Sequence, residues 1–87
     1  MLSSQNAYLH YDMGNILAAN KEYDEAIKQY NSAININPYL AEAYYNRGLA
    51  YILNGKKAEG VESLSKAGEL GLYDAYSVIK QNSKGAK

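Results

Sequence analysis

The feature that most constrains this chain is an internal repeat with a fixed offset between its two halves. Residues of the same kind lie 34 positions apart at Gly14 and Gly48, Tyr11 and Tyr45, Asn20 and Asn54, Glu25 and Glu59, Ala33 and Ala67, and Tyr39 and Tyr73. A period of this length indicates two copies of one supersecondary unit, and such units stack on each other instead of closing into a globule. A displayed surface is therefore expected before a catalytic centre.

Apolar residues recur at helical spacing within each copy. The larger apolar residues over 7–19 form one stripe, which predicts a helix that packs through Leu9, Met13, Ile16 and Leu17. A second stripe at steps of three and four predicts a helix over 23–36 that packs through Tyr23, Ala26, Ile27, Tyr30, Ala33 and Ile34. The second copy predicts helices over 39–53 and 57–70, and a short fifth helix follows over 73–81.

The predicted helix ends rest on residues that stop or open helices. Asn20 is expected in the left-handed conformation at the end of the first helix. Proline stops the second helix at Asn37-Pro38, and the same pair is expected to open the third, with Asn37 as its N-cap. The tail over 82–87 has almost nothing to bury and is expected to fray.

Glycines inside the predicted helices indicate where neighbouring helices come close. Gly14 and Gly48 each cost about 1 kcal/mol relative to alanine within a helix, yet the slot recurs one period later. We interpret this as a close approach of the partner helix. Gly60 stands where the first copy has Ala26, so it keeps that space while it weakens the fourth helix.

Composition removes several classes of function from consideration. Nine Lys/Arg balance nine Asp/Glu, which gives no electrostatic case for nucleic acid or an anionic membrane. The chain has no cysteine and a single histidine, His10, so a metal site or a histidine relay lacks its second member. We expect no enzyme activity and no cofactor, and His10 is expected in a packing slot. No signal or membrane-spanning segment is evident, so a cytoplasmic location is the default expectation.

The motif positions together resemble those of the tetratricopeptide repeat (TPR) family. The first repeat, 7–40, contributes His10, Met13-Gly14, Leu17, Ala26, Tyr30, Ala33 and Pro38, and the second, 41–74, contributes Tyr44, Arg47-Gly48, Tyr51, Gly60, Leu64, Ala67 and Leu72. The stretch Tyr23–Ile27 is very close to the usual opening of the second helix in this family. The resemblance covers about 7–79 and implies an all-α right-handed superhelix of antiparallel helix pairs, with a capping helix over 75–81.

The resemblance also implies a function and a place for it. Members of the family bind a peptide or a segment of a partner protein in a concave groove that is lined by the first helix of each repeat. Carried over residue by residue, the groove residues are Tyr8, Tyr11, Asp12, Asn15, Glu42, Tyr45, Asn46, Leu49, Tyr76 and Lys80, with Ala19, Leu53 and Ile79 beside them. Tyrosine suits such a surface because it offers a large rigid area and a hydroxyl group. The alternative for each tyrosine is a packing role.

Departures from the family pattern leave two questions open. Some members bind an acidic C-terminus through two asparagines and several basic residues. Asn15, Asn46 and Lys80 match those slots, but Tyr11 and Tyr76 stand where that site needs lysine, so we regard it as the minor alternative. The second repeat lacks its closing proline and a third repeat stops after one helix, which suggests the C-terminal end of a longer array, with a free-standing two-repeat protein as the alternative. The alternative function is a self-assembly or scaffold element whose open ends stack on other copies or on the rest of the array. Weak self-association through the two ends and a monomer capped by its last helix both remain open, with the monomer first.

Overall fold

The computed structural model describes residues 2–84 of the chain, which form five α-helices joined by short turns. The helices are α1 (Leu2–Ala19), α2 (Tyr23–Ile36), α3 (Ala41–Leu53), α4 (Lys57–Glu69) and α5 (Asp74–Lys84). Each helix packs on the next in sequence, and α1 also contacts α3. The extents of 45 × 27 × 15 Å describe a slab, and the predicted right-handed superhelix of antiparallel pairs is confirmed.

The predicted helix bounds hold for α2 and shift elsewhere. The first helix begins earlier than predicted, at Leu2, and the last extends to Lys84, so the prediction of a frayed tail is wrong for 82–84. There the Asn82 side chain donates to the Val78 carbonyl at 2.9 Å, and Lys57 donates to the Asn82 carbonyl. These bonds bind the last turn to its own helix and to α4. Residues 85–87 lie outside the described part of the chain.

Two predicted helix signals act at different residues from those expected. Asn37 does not cap α3, because the helix begins at Ala41 and Asn37 Oδ1 accepts the backbone N–H of Tyr39 at 3.1 Å, inside the connecting turn. After α1 the left-handed residue is Lys21, with φ of 64°, and not Asn20. Lys21 stands one repeat before Gly55, which takes φ of 82° after α3, so both repeats end their first helix with the same turn.

The packing stripe predicted for α1 is the main error in the fold. Leu9, Met13 and Ile16 are 61%, 48% and 63% exposed. The residues of α1 that face the rest of the protein are buried Ala7 and Gly14, and half-buried Tyr11, Leu17 and Ala18. Thus α1 has apolar residues on both sides: Leu17 of the predicted stripe faces the core, whereas the other three members of the stripe lie on the outer side.

The close helix crossings predicted at the glycines are present. A Cβ atom added to Gly14 would lie 2.6 Å from Cε1 of Tyr30, which packs across it from α2. In the second repeat, a Cβ atom on Gly48 would lie 2.9 Å from the backbone oxygen of Gly60, and one on Gly60 would lie 2.8 Å from the oxygen of Gly48. The α3–α4 pair therefore crosses backbone to backbone, and Gly60 is required by the crossing itself.

Arg47 joins three helices on the side of α3 that faces α2 and α4. Its Nε donates to buried Ser63 Oγ at 3.0 Å, and its Nη1 donates to Asn31 Oδ1 at 2.9 Å. The guanidinium also lies over the rings of Tyr44 and Tyr51, at 5.3 and 5.8 Å from their centroids. Arg47 thus fills its position with polar and cation–π contacts.

We predict that Gly48→Ala destabilises the protein by about 1–3 kcal/mol, because the added methyl meets a backbone oxygen that cannot move away without shifting α4. This net loss already subtracts the roughly 1 kcal/mol that alanine gains over glycine within a helix. Glu62→Ala, at an exposed position of α4, is the control and should change stability by less than about 0.5 kcal/mol. Urea denaturation measures both. A Gly48→Ala variant as stable as the parent would refute the close crossing.

Candidate functional site: a groove between α1 and α3

An open pocket of about 300 Å³ lies between the C-terminal halves of α1 and α3. Its lining comes from α1, α3 and one residue of α2, and consists of Asn15, Ala18, Ala19, Tyr30, Asn46, Leu49, Ala50 and Leu53. The sequence predicted five of these as groove residues or their neighbours: Asn15, Ala19, Asn46, Leu49 and Leu53. It missed Ala18, Tyr30 and Ala50, which form the deeper part of the pocket.

The pocket exists because small side chains face it from both helices. Ala18 and Ala19 leave space on α1, and buried Ala50 keeps the α3 side shallow. Leu49 and exposed Leu53 form an aliphatic wall. One end of the pocket is therefore apolar, whereas the two asparagines make the other end polar.

The two predicted asparagines lie together and hold each other in place. Asn46 Nδ2 donates to Asn15 Oδ1 at 2.9 Å and to the hydroxyl of Tyr11 at 3.0 Å. Asn15 Oδ1 also accepts the hydroxyl of Tyr30 at 2.6 Å. An amide nitrogen has two hydrogens and an amide oxygen two lone pairs, so both of these atoms are fully used. The bonds join α1, α2 and α3 and define the orientation of both side chains.

The other end of each amide is available to a ligand. Within the described residues, Asn15 Nδ2 and Asn46 Oδ1 make no hydrogen bond to protein, and no side-chain polar atom there is both buried and unpaired. Both side chains line the pocket. The groove thus presents one donor group and one acceptor, held in position by bonds on their opposite ends.

Tyr30 joins this network from α2 through the hydrogen bond that its hydroxyl donates to Asn15. It is 1% exposed and packs in the core, as the packing alternative predicted, while its hydroxyl reaches the pocket floor. Burial raises the pKa of Tyr30 from 10.0 to about 12, and the neighbouring Tyr11 adds to the rise. The hydroxyl therefore remains a hydrogen-bond donor to Asn15 at neutral pH.

The predicted groove tyrosines on α1 and α3 are partly committed to packing. Tyr11 is half-buried, with its ring 6.1 Å from that of Tyr30 and its hydroxyl bound to Asn46. Tyr8 is exposed and meets the Tyr11 ring edge to face at 6.1 Å. Tyr45, one repeat after Tyr11, is half-buried against the core that α5 completes. Tyr8 offers the most accessible ring of the three.

The remaining predicted residues lie outside the pocket lining. Asp12, Glu42 and Lys80 are exposed. Tyr76 is 47% exposed, and its ring packs over Gly68 of α4, where a Cβ atom would lie 2.4 Å from its Cζ. His10 is half-buried with Nδ1 2.8 Å from Gln29 Oε1, which confirms its packing role.

Comparisons with known proteins agree with the repeat pattern. A family profile described as "TPR repeat" matches residues 14–55, and one described as "Tetratricopeptide repeat" matches 41–70. The photosystem I assembly protein Ycf3 of Acaryochloris marina is 34% identical over 61 residues, which are 70% of this chain and 37% of that protein. The Hsp70-Hsp90 organizing protein of Triticum aestivum is 41% identical over 59 residues, which are 68% of this chain and 10% of that protein.

A solved structure extends the comparison to the fold. The crystal structure of MamA superposes with a TM-score of 0.90 at 27% identity, over 95% of this chain and 50% of that one. This chain spans well under half the length of the two curated relatives. Among the described residues, no helix is long and apolar enough to cross a membrane, and no three metal-ligating side chains of His, Cys, Asp or Glu come together.

We predict that Tyr30→Phe lowers stability at neutral pH by about 1 kcal/mol, because Asn15 loses a hydrogen-bond donor. In the parent, the raised pKa of Tyr30 means that the unfolded chain releases this proton near pH 10 and the folded protein near pH 12. The contribution is complete below pH 10 and is lost as the pH rises to 12, by about 2–3 kcal/mol in full. The deficit of Tyr30→Phe should therefore shrink above pH 10 and change sign by about pH 11, because the loss in the parent then exceeds about 1 kcal/mol.

Urea denaturation of parent and variant at about pH 7, 9 and 11 measures this change. Tyr39→Phe is the matched control, since Tyr39 is 78% exposed, and it should follow the parent at every pH. A Tyr30→Phe deficit that is constant across the series would refute the role given to burial.

Proposed function

The chain belongs to the tetratricopeptide repeat family, and from that premise we propose that its groove binds an extended peptide segment of a partner protein. Protein–protein interaction is the role that the family supports. The observation that carries the finer proposal is the pair of asparagines, whose outward atoms are free while their inward atoms are saturated. We also propose that the module performs no chemistry of its own, because its lining consists of amides, a tyrosine and aliphatic side chains.

The free atoms match the needs of a peptide backbone. A ligand carbonyl accepts from Asn15 Nδ2, and a ligand N–H donates to Asn46 Oδ1. Because both side chains are already held by protein bonds, binding costs little rotamer entropy at these positions. An isolated hydrogen bond adds only about 1 kcal/mol, so the pair aligns the ligand more than it supplies affinity.

The apolar end of the pocket adds the specificity. Ala18, Ala19, Leu49 and Leu53 surround space for one aliphatic side chain of the ligand. Burial of a leucine-sized side chain is worth about 1.5–3 kcal/mol, which is larger than the contribution of either amide. We therefore propose a ligand segment with a Leu, Ile or Met at the residue next to the backbone contact.

The charge around the groove disfavours the acidic C-terminal ligand. The pocket lining carries no charged side chain, and of the three exposed charged residues predicted beside it, Asp12 and Glu42 are acidic and Lys80 is basic. Lys80, the basic residue that matches the family's carboxylate-binding slots, lies on α5, outside the pocket lining. A ligand that is neutral at the contact and has basic flanks fits these charges better.

We predict that Leu53→Asp weakens the binding of a peptide selected by display against the parent protein at least tenfold, because the carboxylate takes the place of the aliphatic wall. Leu9→Asp is the matched control, since Leu9 and Leu53 are 61% and 65% exposed but lie on different faces. It should leave affinity unchanged. Isothermal calorimetry measures affinity, and circular dichroism checks that both variants fold.

Two results would contradict the proposal. One is a selection that yields no peptide with a dissociation constant below about 1 mM. The other is a set of peptides whose affinity survives Leu53→Asp, which would move the binding site away from the pocket.

A further inference from the structure

Asn54 and Gly55, directly after α3, form the single Asn-Gly pair of the chain. An asparagine in such a pair loses its side-chain amide readily, because glycine has no side chain to obstruct the backbone nitrogen that attacks the amide carbon. Asn54 is half-buried and Gly55 is exposed, so water reaches the pair. Whether the reaction proceeds in the folded protein depends on how the turn holds the reacting atoms.

The closed turn keeps the attacking nitrogen away from the side chain. Attack closes a five-membered ring, which requires the Gly55 nitrogen and the Asn54 Cβ to eclipse each other about the Cα–C bond. At the observed ψ of 9° for Asn54 they are far from eclipsed. The Gly55 N–H also donates to the Ile52 carbonyl at 3.0 Å, although the nitrogen must lose this hydrogen to react. The turn must therefore open before the ring can form.

Asp24 holds the side-chain amide from the other side. Asn54 Nδ2 donates to Asp24 Oδ1 at 2.9 Å, and Asp24 lies in the first turn of α2. The bond joins the end of α3 to the beginning of α2, and the carboxylate makes it stronger than a bond between neutral groups. To meet the Gly55 nitrogen, the Asn54 side chain must leave Asp24, so this bond and the turn oppose the reaction together.

The first repeat makes the same turn with a different pair of residues. Asn20 and Lys21 stand one period before Asn54 and Gly55, and the Lys21 N–H donates to the Ala18 carbonyl at 2.9 Å, as that of Gly55 does to Ile52. The lysine side chain obstructs its own backbone nitrogen, which the glycine does not. Asn20 is therefore an internal comparison, with the same turn and a lower expected reactivity.

We propose that Asn54 is a site of spontaneous deamidation, that opening of the turn after α3 sets its rate, and that Asp24 keeps the turn closed. The Gly55 nitrogen loses its proton and forms a bond to Cγ of Asn54, and the side-chain nitrogen leaves as ammonia. Water then adds to one carbonyl of the cyclic imide and breaks its bond to nitrogen. Cleavage at Cγ gives aspartate, and cleavage at the main-chain carbonyl gives isoaspartate.

The product breaks the link between α2 and α3. A carboxylate replaces the amide that donates to Asp24, so a hydrogen bond becomes a contact between two negative charges. Isoaspartate also lengthens the main chain by one methylene at the end of α3. The change is irreversible, and the modified fraction increases with the time that the turn spends open. This inference goes beyond the proposed peptide binding and does not depend on it.

Incubation of the full chain at mildly alkaline pH, followed by mass spectrometry of its peptides, measures the rate at each asparagine. Chain unfolded in guanidinium chloride should react at Asn54 at least about tenfold faster than folded parent. Asp24→Ala should speed the reaction of the folded protein roughly five- to tenfold, as expected for the loss of one hydrogen bond. Glu25→Ala is the matched control, because it removes a charge from the same turn of α2 and leaves the bond to Asn54 in place.

The consequence of the reaction is tested separately by urea denaturation. Asn54→Asp should lower the midpoint, and adding Asp24→Asn, which restores the pair with its partners exchanged, should recover most of the loss. Equal rates at Asn54 in folded and unfolded chain would overturn the proposal, as would Asp24→Ala reacting no faster than Glu25→Ala. Asn20 reacting as fast as Asn54, or Asn54→Asp as stable as the parent, would also contradict it.

Discussion

The close crossing of the two helices within each repeat is the contact on which the rest of this structure depends. Because Gly14 has no side chain, the ring of Tyr30 packs directly on α1 at this position, and its hydroxyl donates to the neighbouring Asn15. Asn15 then holds Asn46 of the next repeat. The site in the groove is thus built outward from a glycine at a helix crossing, and a bulkier residue at that position would displace the tyrosine on which both amides depend.

Much of this arrangement follows from the sequence because it repeats. The offset between Gly14 and Gly48 predicts the crossings, and the bounds of α2 follow from its apolar stripe. The same reasoning fails for α1, because helical periodicity identifies an apolar face without showing whether anything covers it. The helix has apolar residues on both sides, and it packs on the core through Ala7, Gly14 and Leu17. The equivalent face of α3 is covered by α2, which the sequence pattern alone does not show.

The candidate site was predictable in part. Asn15, Asn46 and Leu49 follow from the family resemblance, and the structure brings them to one pocket. Tyr30 was expected in the core, where it lies, but a pattern of apolar residues cannot show that its hydroxyl emerges at the pocket floor. Ala18 and Ala50 were missed because a small residue signals nothing by itself; it makes a pocket only when larger side chains surround it. Tyr11 divides its surface between core and groove, so neither expectation alone describes it.

The saturated inward atoms of the two asparagines determine the direction in which a peptide runs along the groove. Asn15 presents only a donor and Asn46 only an acceptor, and neither amide can turn over without breaking the bonds behind it. In an extended peptide, the N–H and the C=O of one residue point to the same side, with the N–H first along the chain. A strand that satisfies both amides with one residue must run from α3 towards α1. The groove would then distinguish a sequence from its reverse, even where the side chains are the same.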